Sequence, residues 1–207
     1  MLNLIDNSTS HTPSEPHIIV DDFVAPKCAG FIEILYQDDD ILLINKPSGL
    51  LSLSGKNPLN WDSVHYRLVN GQKGLTAAFA EAKLPHRLDL GTSGIMIVGL
   101  NAKASKHLNI QFQARTIQKR YVAMLEGRLA VSEGEITAPI AKDKLLFPRV
   151  KICQATGKVA VSEYSGHPIL GCDLYKSAQS EYMAGRLQLH ASDLYFEHPT
   201  TSEKYSY

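Results

Sequence analysis

Few cysteines are present, and they form no pattern. Cys28, Cys153 and Cys172 are odd in number, far apart and free of any CxxC pair. That argues against a disulfide framework or a zinc ribbon and makes a reducing cytoplasm the natural home. The chain also lacks an apolar run near the roughly 20 residues that a membrane span requires. The opening stretch MLNLIDNSTSHTPSEP has neither a basic n-region nor an apolar h-region, so no secretory signal is expected. His86, His107, His190 and His198 show no ligand spacing, so no metal is expected. There is no internal repeat and no low-complexity tract. Net charge is absent too, the 21 basic residues balancing 21 acidic ones.

What is there is enough for a core. With 207 residues, 44% hydrophobic and 20% charged, the chain reads as a soluble protein with one main core that needs no staples. The zero net charge hides a pattern. Residues 1–44 carry one basic and eight acidic residues, 45–100 six and three, 101–160 eleven and four, and 161–207 three and six. A polyanion responds to the local field rather than the total, so a basic middle between acidic ends keeps nucleic acid among the candidate partners. An ordinary solvated helix face explains the same lysines equally well.

Residues 7–17 are polar with two prolines and read as a loose arm. Residues 1–30 together are expected to be flexible or loosely packed, ahead of one domain over 31–207. Phe31–Tyr36 and Ile41–Asn45 are predicted strands joined by the turn-like QDDD and closed by KPSG. Residues 61–82 predict one or two short helices, and SGIMIVGL a buried strand. Asn101 is a fair N-cap for a helix with Leu108, Ile110 and Phe112 at near-helical spacing. RYVAMLEG, RVKICQ, KVAVSEY and GRLQLHASDLYF predict strands, with a helix over DLYKSAQSEYMAG. Many strands with few helices and no regular βαβ alternation predict an α+β fold around a largely antiparallel sheet.

The stretch PHRLDLGTSG places one carboxylate, Asp89, at a bend made of small residues, two positions after Arg87. Read blandly, it is a strand end and a turn. Read as chemistry, it is an acid at the lip of a cleft. Its HRLD-x-x-TSG pattern, residues 86–94, resembles the signature of the RluA family of RNA pseudouridine synthases. ILLINKPSGLLS, QFQARTIQKRYVAMLEG, GHPILGCDLY and RLQLHASDLYFEHPTT resemble flanking elements of that family in the same order. The resemblance covers about residue 31 to the end and is strongest to the branch with no added N-terminal RNA-binding domain.

The resemblance implies a pseudouridine synthase fold with a central RNA-binding cleft and isomerisation of uridine in tRNA or ribosomal RNA stem-loops. No cofactor is implied, since N1–C1′ breaks and C5–C1′ forms within one nucleotide. It makes Asp89 the catalytic aspartate, and it puts Arg87, His86 and Tyr121 at the substrate, Arg87 holding the gap left by the flipped base and Tyr121 packing on the uracil. Lys103, Lys106, Arg115, Lys119 and Arg120 are the candidate RNA-binding basic surface. The chemistry wants such an acid independently: glycosidic cleavage builds positive charge at C1′, which a carboxylate can stabilise, attack or relieve by taking a sugar proton. Taken alone, Tyr121 reads as a core aromatic and Arg87 as a surface cation. Lys46-Pro47 reads as shaping a turn, and Ser93 and Gly94 as serving the bend. A monomer in the cytoplasm with no membrane contact is the implied setting.

In one place the sequence departs from the family. SEY runs directly into SGHPILG at Tyr164–Ser165, where the family carries roughly thirty further residues, including a strand and the basic residue that pairs with the catalytic aspartate. Losing a central strand would leave backbone groups unpaired, at a cost beyond a typical stability margin. A non-catalytic RNA-binding relative is therefore the alternative reading. A hydrolytic glycosidase ranks low, because the motif offers no second acid.

Overall fold

A computed structural model of the chain describes residues 23–72, 78–127, 135–142, 150–155, 158–163, 169–172 and 184–207. Within these, the strands are β1 (Glu33–Gln37), β2 (Ile41–Lys46), β3 (Ser93–Gly99), β4 (Gln118–Ala123), β5 (Glu135–Lys142), β6 (Val150–Ile152), β7 (Lys158–Glu163), β8 (Leu189–Glu197) and β9 (Lys204–Ser206). The helices are α1 (Val64–Asn70) and α2 (Ala102–Ala114). A six-stranded sheet runs β1-β2-β3-β8-β4 with β9 beside β8, and β6-β5-β7 form a second, three-stranded sheet. Every pairing is antiparallel except β3 with β8, so the α+β class with a largely antiparallel mixed sheet is observed.

The main sheet is covered on both faces, which is why β2 and β3 read as continuous apolar runs rather than alternating ones. On one face Leu42, Ile44, Met96 and Val98 pack with Val64 and Leu68 of α1. On the other, Ile41, Leu43, Ile95 and Ile97 pack with Ala104 and Leu108 of α2. The cap expected from sequence is in place, Asn101 accepting from the Ala104 amide at 2.8 Å, and Ser63 caps α1 by accepting from the Tyr66 amide at 3.1 Å. In the QDDD turn, Asp38 Oδ1 accepts from the amides of Asp40 and Ile41, a local bond pattern that suits aspartate.

Three differences from the sequence reading stand out. Residues 23–30, expected to be loosely packed, are tied down by side chains. Asn60 bonds Ala25 N and Phe23 O, and Arg67, held by Asp62, donates to Gly30 O and Cys28 O. Long polar side chains that satisfy backbone groups order an extended segment without secondary structure. Next, β5 and β9 are strands that the reading did not predict. Last, among the described residues the main sheet forms one hydrogen-bonded path from β1 to β4, with β4 at its edge, where the sequence had raised the prospect of unpaired backbone. Residues 1–22, the helix expected over DLYKSAQSEYMAG and the junction at Tyr164–Ser165 lie outside the described residues.

The parallel joint between β3 and β8 is short, pairing only Ser93 with His190 and Gly94 with Ala191. Gly94 sits there at φ +118, and a Cβ on it would fall onto the backbone O and N of Ala191. Only glycine permits that approach. Gly94→Ala is therefore expected to cost at least about 3 kcal/mol, measured by urea unfolding, whereas Gly49→Ala, where a Cβ meets nothing, should cost less.

Candidate active site

Asp89 occupies a turn whose backbone is clamped from beneath. Thr92 N donates to Asp89 O at 3.1 Å, closing the bend. The other carbonyls of the stretch are all taken by residues 46–52. Ser52 Oγ donates to Leu88 O (2.6 Å) and accepts from Leu88 N (3.1 Å). Gly49 N donates to Leu90 O, and Ser48 Oγ to Gly91 O. Lys46 Nζ donates to Pro47 O at 3.0 Å, Leu90 O at 3.3 Å and Thr92 O at 2.8 Å. With the main chain engaged inward, the Asp89 side chain is left exposed to solvent.

Lys46 is the residue the sequence reading undervalued. It is 0% exposed, and burial pushes its amine down to about 8, against the opposing pull of Cys28 and Asp89. Three backbone carbonyls take its three N–H donors, which is how a buried ammonium is tolerated. The signal was visible: a lysine closing a wholly apolar strand, ILLINK, has no solvent to reach.

The strand register then lays a floor beside the turn. Lys46 pairs with Gly94, Gly94 with Ala191, and Ala191 with Tyr121, a single row across four strands. The two middle positions carry almost no side chain and are buried, with buried Lys46 at one end of the row and exposed Tyr121 at the other. A β-bulge between Arg120 and Tyr121 re-aims the strand at this point, as bulges beside functional sites do. Tyr121 is 43% exposed, and its phenol is pushed up by burial and by the negative charge of Asp89. The same negative charge acts on Lys46, so Asp89, Lys46 and Tyr121, far apart in sequence, share one electrostatic neighbourhood.

His86 is not brought to that group. Its Nε2 accepts from the amide of Ile97 at 3.1 Å, and its ring stacks on Phe112 of α2 at 4.7 Å. It fills the stretch of β3 that β8 has left; further along the same edge Lys83 and Gly99 exchange both backbone bonds. The ring nitrogen that the substrate would need is already committed to the sheet. Burial, with a smaller contribution from Lys119, pushes His86 down to about 4, so it stays neutral.

Arg87 is exposed, and no hydrogen bond or ion pair holds its guanidinium among the described residues. Lys103, Lys106, Arg115, Lys119 and Arg120 are all exposed along α2 and β4. Arg120 is laid over the Tyr195 ring at 5.5 Å, and Lys103 reaches Thr200 Oγ1 at 3.4 Å. Arg115 sits in the left-handed region and closes α2 through its backbone amide. Among the described residues no cation lies within ion-pair distance of the Asp89 carboxylate, the place where the family resemblance implies a partner from the segment this chain lacks. No group of three potential metal ligands occurs among the described residues, and no described helix is long and apolar enough to cross a membrane.

The chain belongs to the RNA pseudouridylate synthase family, whose description matches residues 40–182; it is of the RluA type and an isomerase. It is 38% identical over 197 residues to the dual-specificity RNA pseudouridine synthase RluA of Yersinia pestis, covering 80% of this chain and 92% of that one. To RluA of Escherichia coli (strain K12) it is 36% identical over 200 residues, covering 82% and 88%. Among solved structures it is similar to human RNA pseudouridylate synthase domain containing 1, with a TM-score of 0.65 and 21% identity over 88% of this chain and 84% of that one. The Yersinia alignment spans 197 positions yet covers 80% of 207 residues, about 166. The remaining 31 or so positions have no counterpart here, the size of the segment absent at Tyr164–Ser165.

The depressed His86 sets a stability signature. Its folded value, about 4, lies below its ordinary 6.5, so between those pH values the unfolded chain binds the proton more tightly. Stability is thus expected to fall as pH drops below 6.5, by about 2 kcal/mol from this residue between pH 7 and pH 5. Urea unfolding at the two pH values checks it, and His86→Gln should flatten that slope while lowering stability at pH 7.

Proposed function

We propose that the protein isomerises uridines in the loops of tRNA, ribosomal RNA or both, with Asp89 as the group that acts at C1′. The observation that carries this reading is the exposed Asp89 on a turn whose backbone is held by Lys46, Ser48, Gly49 and Ser52, with its charge acting on the half-exposed Tyr121. A uracil packed on the Tyr121 ring would bring its glycosidic carbon towards the carboxylate. N1–C1′ breaks, the ring turns, C5 bonds to C1′, the C5 proton leaves and N1 gains one. Atoms balance within one nucleotide, so no energy source is needed. Asp89 stabilises the positive charge at C1′, attacks it, or takes a sugar proton.

The target base must leave its stack, at a cost of a few kcal/mol. The guanidinium of Arg87, unpaired among the described residues, is available to occupy the gap, and the exposed cations of α2 and β4 supply phosphate contacts. Tyr121, kept protonated, offers an apolar ring against the uracil. The relatives' description as dual-specificity RNA enzymes supports more than one RNA class as substrate, and the reading puts a monomer at work in the cytoplasm, where tRNA and ribosomal RNA are found.

The test is tritium release from C5-labelled uridine in a tRNA anticodon stem-loop and a ribosomal RNA hairpin. Wild type is expected to release tritium from at least one. Asp89→Asn should reduce release by three orders of magnitude or more, about 4 kcal/mol of barrier, with RNA affinity retained. Activity that survives Asp89→Asn would overturn the role of Asp89.

A further inference from the structure

Beside the Asp89 turn stands an aromatic pair that the isomerisation itself does not use. Trp61 and Tyr66 meet edge to face, with ring centroids 4.8 Å apart and planes at 67°. Both are exposed, at 54% and 38%. Large aromatic rings left in water on a tightly bonded frame are unusual, since burying them is favourable.

The frame connects them to the active turn. Ser54 Oγ donates to Trp61 O at 2.8 Å and bonds Ser63 Oγ at 3.2 Å. Val64 N and His65 N donate to Leu51 O and Ser52 O, and Ser52 Oγ holds Leu88 O, the carbonyl just before Asp89. A chain of hydrogen bonds thus runs from the segment that carries the pair to the turn that carries Asp89. The base of the pair is rigid, because Asn60 and Ser63 are buried and Arg67 is fixed by Asp62 at 2.7 Å.

The charge around the pair suits a polyanion. Residues 51–70 contain Lys56 and Arg67 against a single acid, Asp62, and Arg67 neutralises that acid through two hydrogen bonds. Lys56 is exposed. An exposed ring with an exposed cation on the same segment, whose one carboxylate is already paired, is how proteins receive an unstacked base together with its phosphate.

We propose that Trp61 and Tyr66 form a stacking platform for a second unpaired base of the RNA loop that carries the target uridine, with Lys56 on its phosphate. The inference rests on the isomerase reading and deepens it, since it assigns a contact outside the reacting nucleotide. Splaying out a second base favours flexible single-stranded loops over paired RNA.

Trp61 is the single tryptophan of the chain, so its fluorescence reports the platform alone. The experiment titrates the full chain with an anticodon stem-loop transcript, following tryptophan emission and, separately, anisotropy of end-labelled RNA. The expected result is quenching that saturates in step with anisotropy. Trp61→Ala should raise Kd on the order of tenfold, with the single-turnover rate at saturating RNA unchanged, and Trp61→Phe should restore most of the affinity. Both side chains are exposed, so the fold tolerates the changes; circular dichroism verifies this. Binding by anisotropy without quenching, or a Trp61→Ala Kd equal to wild type, would overturn the platform and leave the pair to another partner. Quenching with the expected affinity loss, but no isomerisation by wild type, would uphold the platform and refute the activity.

Discussion

The site depends on a buried ammonium. Lys46 ends the most apolar strand of the sheet and turns its charge onto three backbone carbonyls, two of them in the turn that presents Asp89. A hydrogen bond to a charged donor is stronger than one to a neutral donor, and its cost, the desolvation of the amine, is recorded in the fall to about 8. A cation placed under a turn does two things together. It fixes the peptide groups on either side of Asp89, and it sets positive charge beneath a carboxylate that has no ion-pair partner among the described residues. The serines of the same segment, Ser48 and Ser52, finish the clamp. Pre-organisation of this kind is what lets a single exposed acid act without rearranging.

The second constraint is the brevity of the β3–β8 joint. Two parallel rungs bring Gly94 against Ala191, and beyond them the strands part. Below the joint, the edge of β3 needs other partners, and His86 and Lys83 supply them. One local choice, a glycine at positive φ, therefore closes the core at the joint and sets the register that lines Lys46 up with Tyr121. Among the described residues the edge of the sheet falls at β4.

Much of this was legible from sequence. The strands over ILLINK and SGIMIVG, the Asn101 cap and the Asp89 bend follow from apolar runs, cap chemistry and small residues. Other features were not. EITAPIAK carries a proline and alanines that weaken its strand signal, and KYS is too short to show a period. The row through Gly94, Ala191 and Tyr121 depends on register, which joins residues nearly a hundred positions apart, and a bulge shifts it. His86 sits within the motif, yet its ring turns to the sheet because Ile97 N needs an acceptor there. Motif membership gave no hint of that direction. Lys46 was read as a turn residue, and it is one, but by its side chain rather than by the backbone.

The claim that Lys46 holds Asp89 in its working position is tested most directly by single-turnover kinetics of Lys46→Met, on protein shown to be folded by circular dichroism. The account predicts a rate at saturating RNA at least tenfold below wild type, with Kd for the RNA unchanged, because the turn loses its anchor while the phosphate contacts remain. A rate equal to wild type would contradict it and show that the serines and Gly49 alone suffice to present the carboxylate.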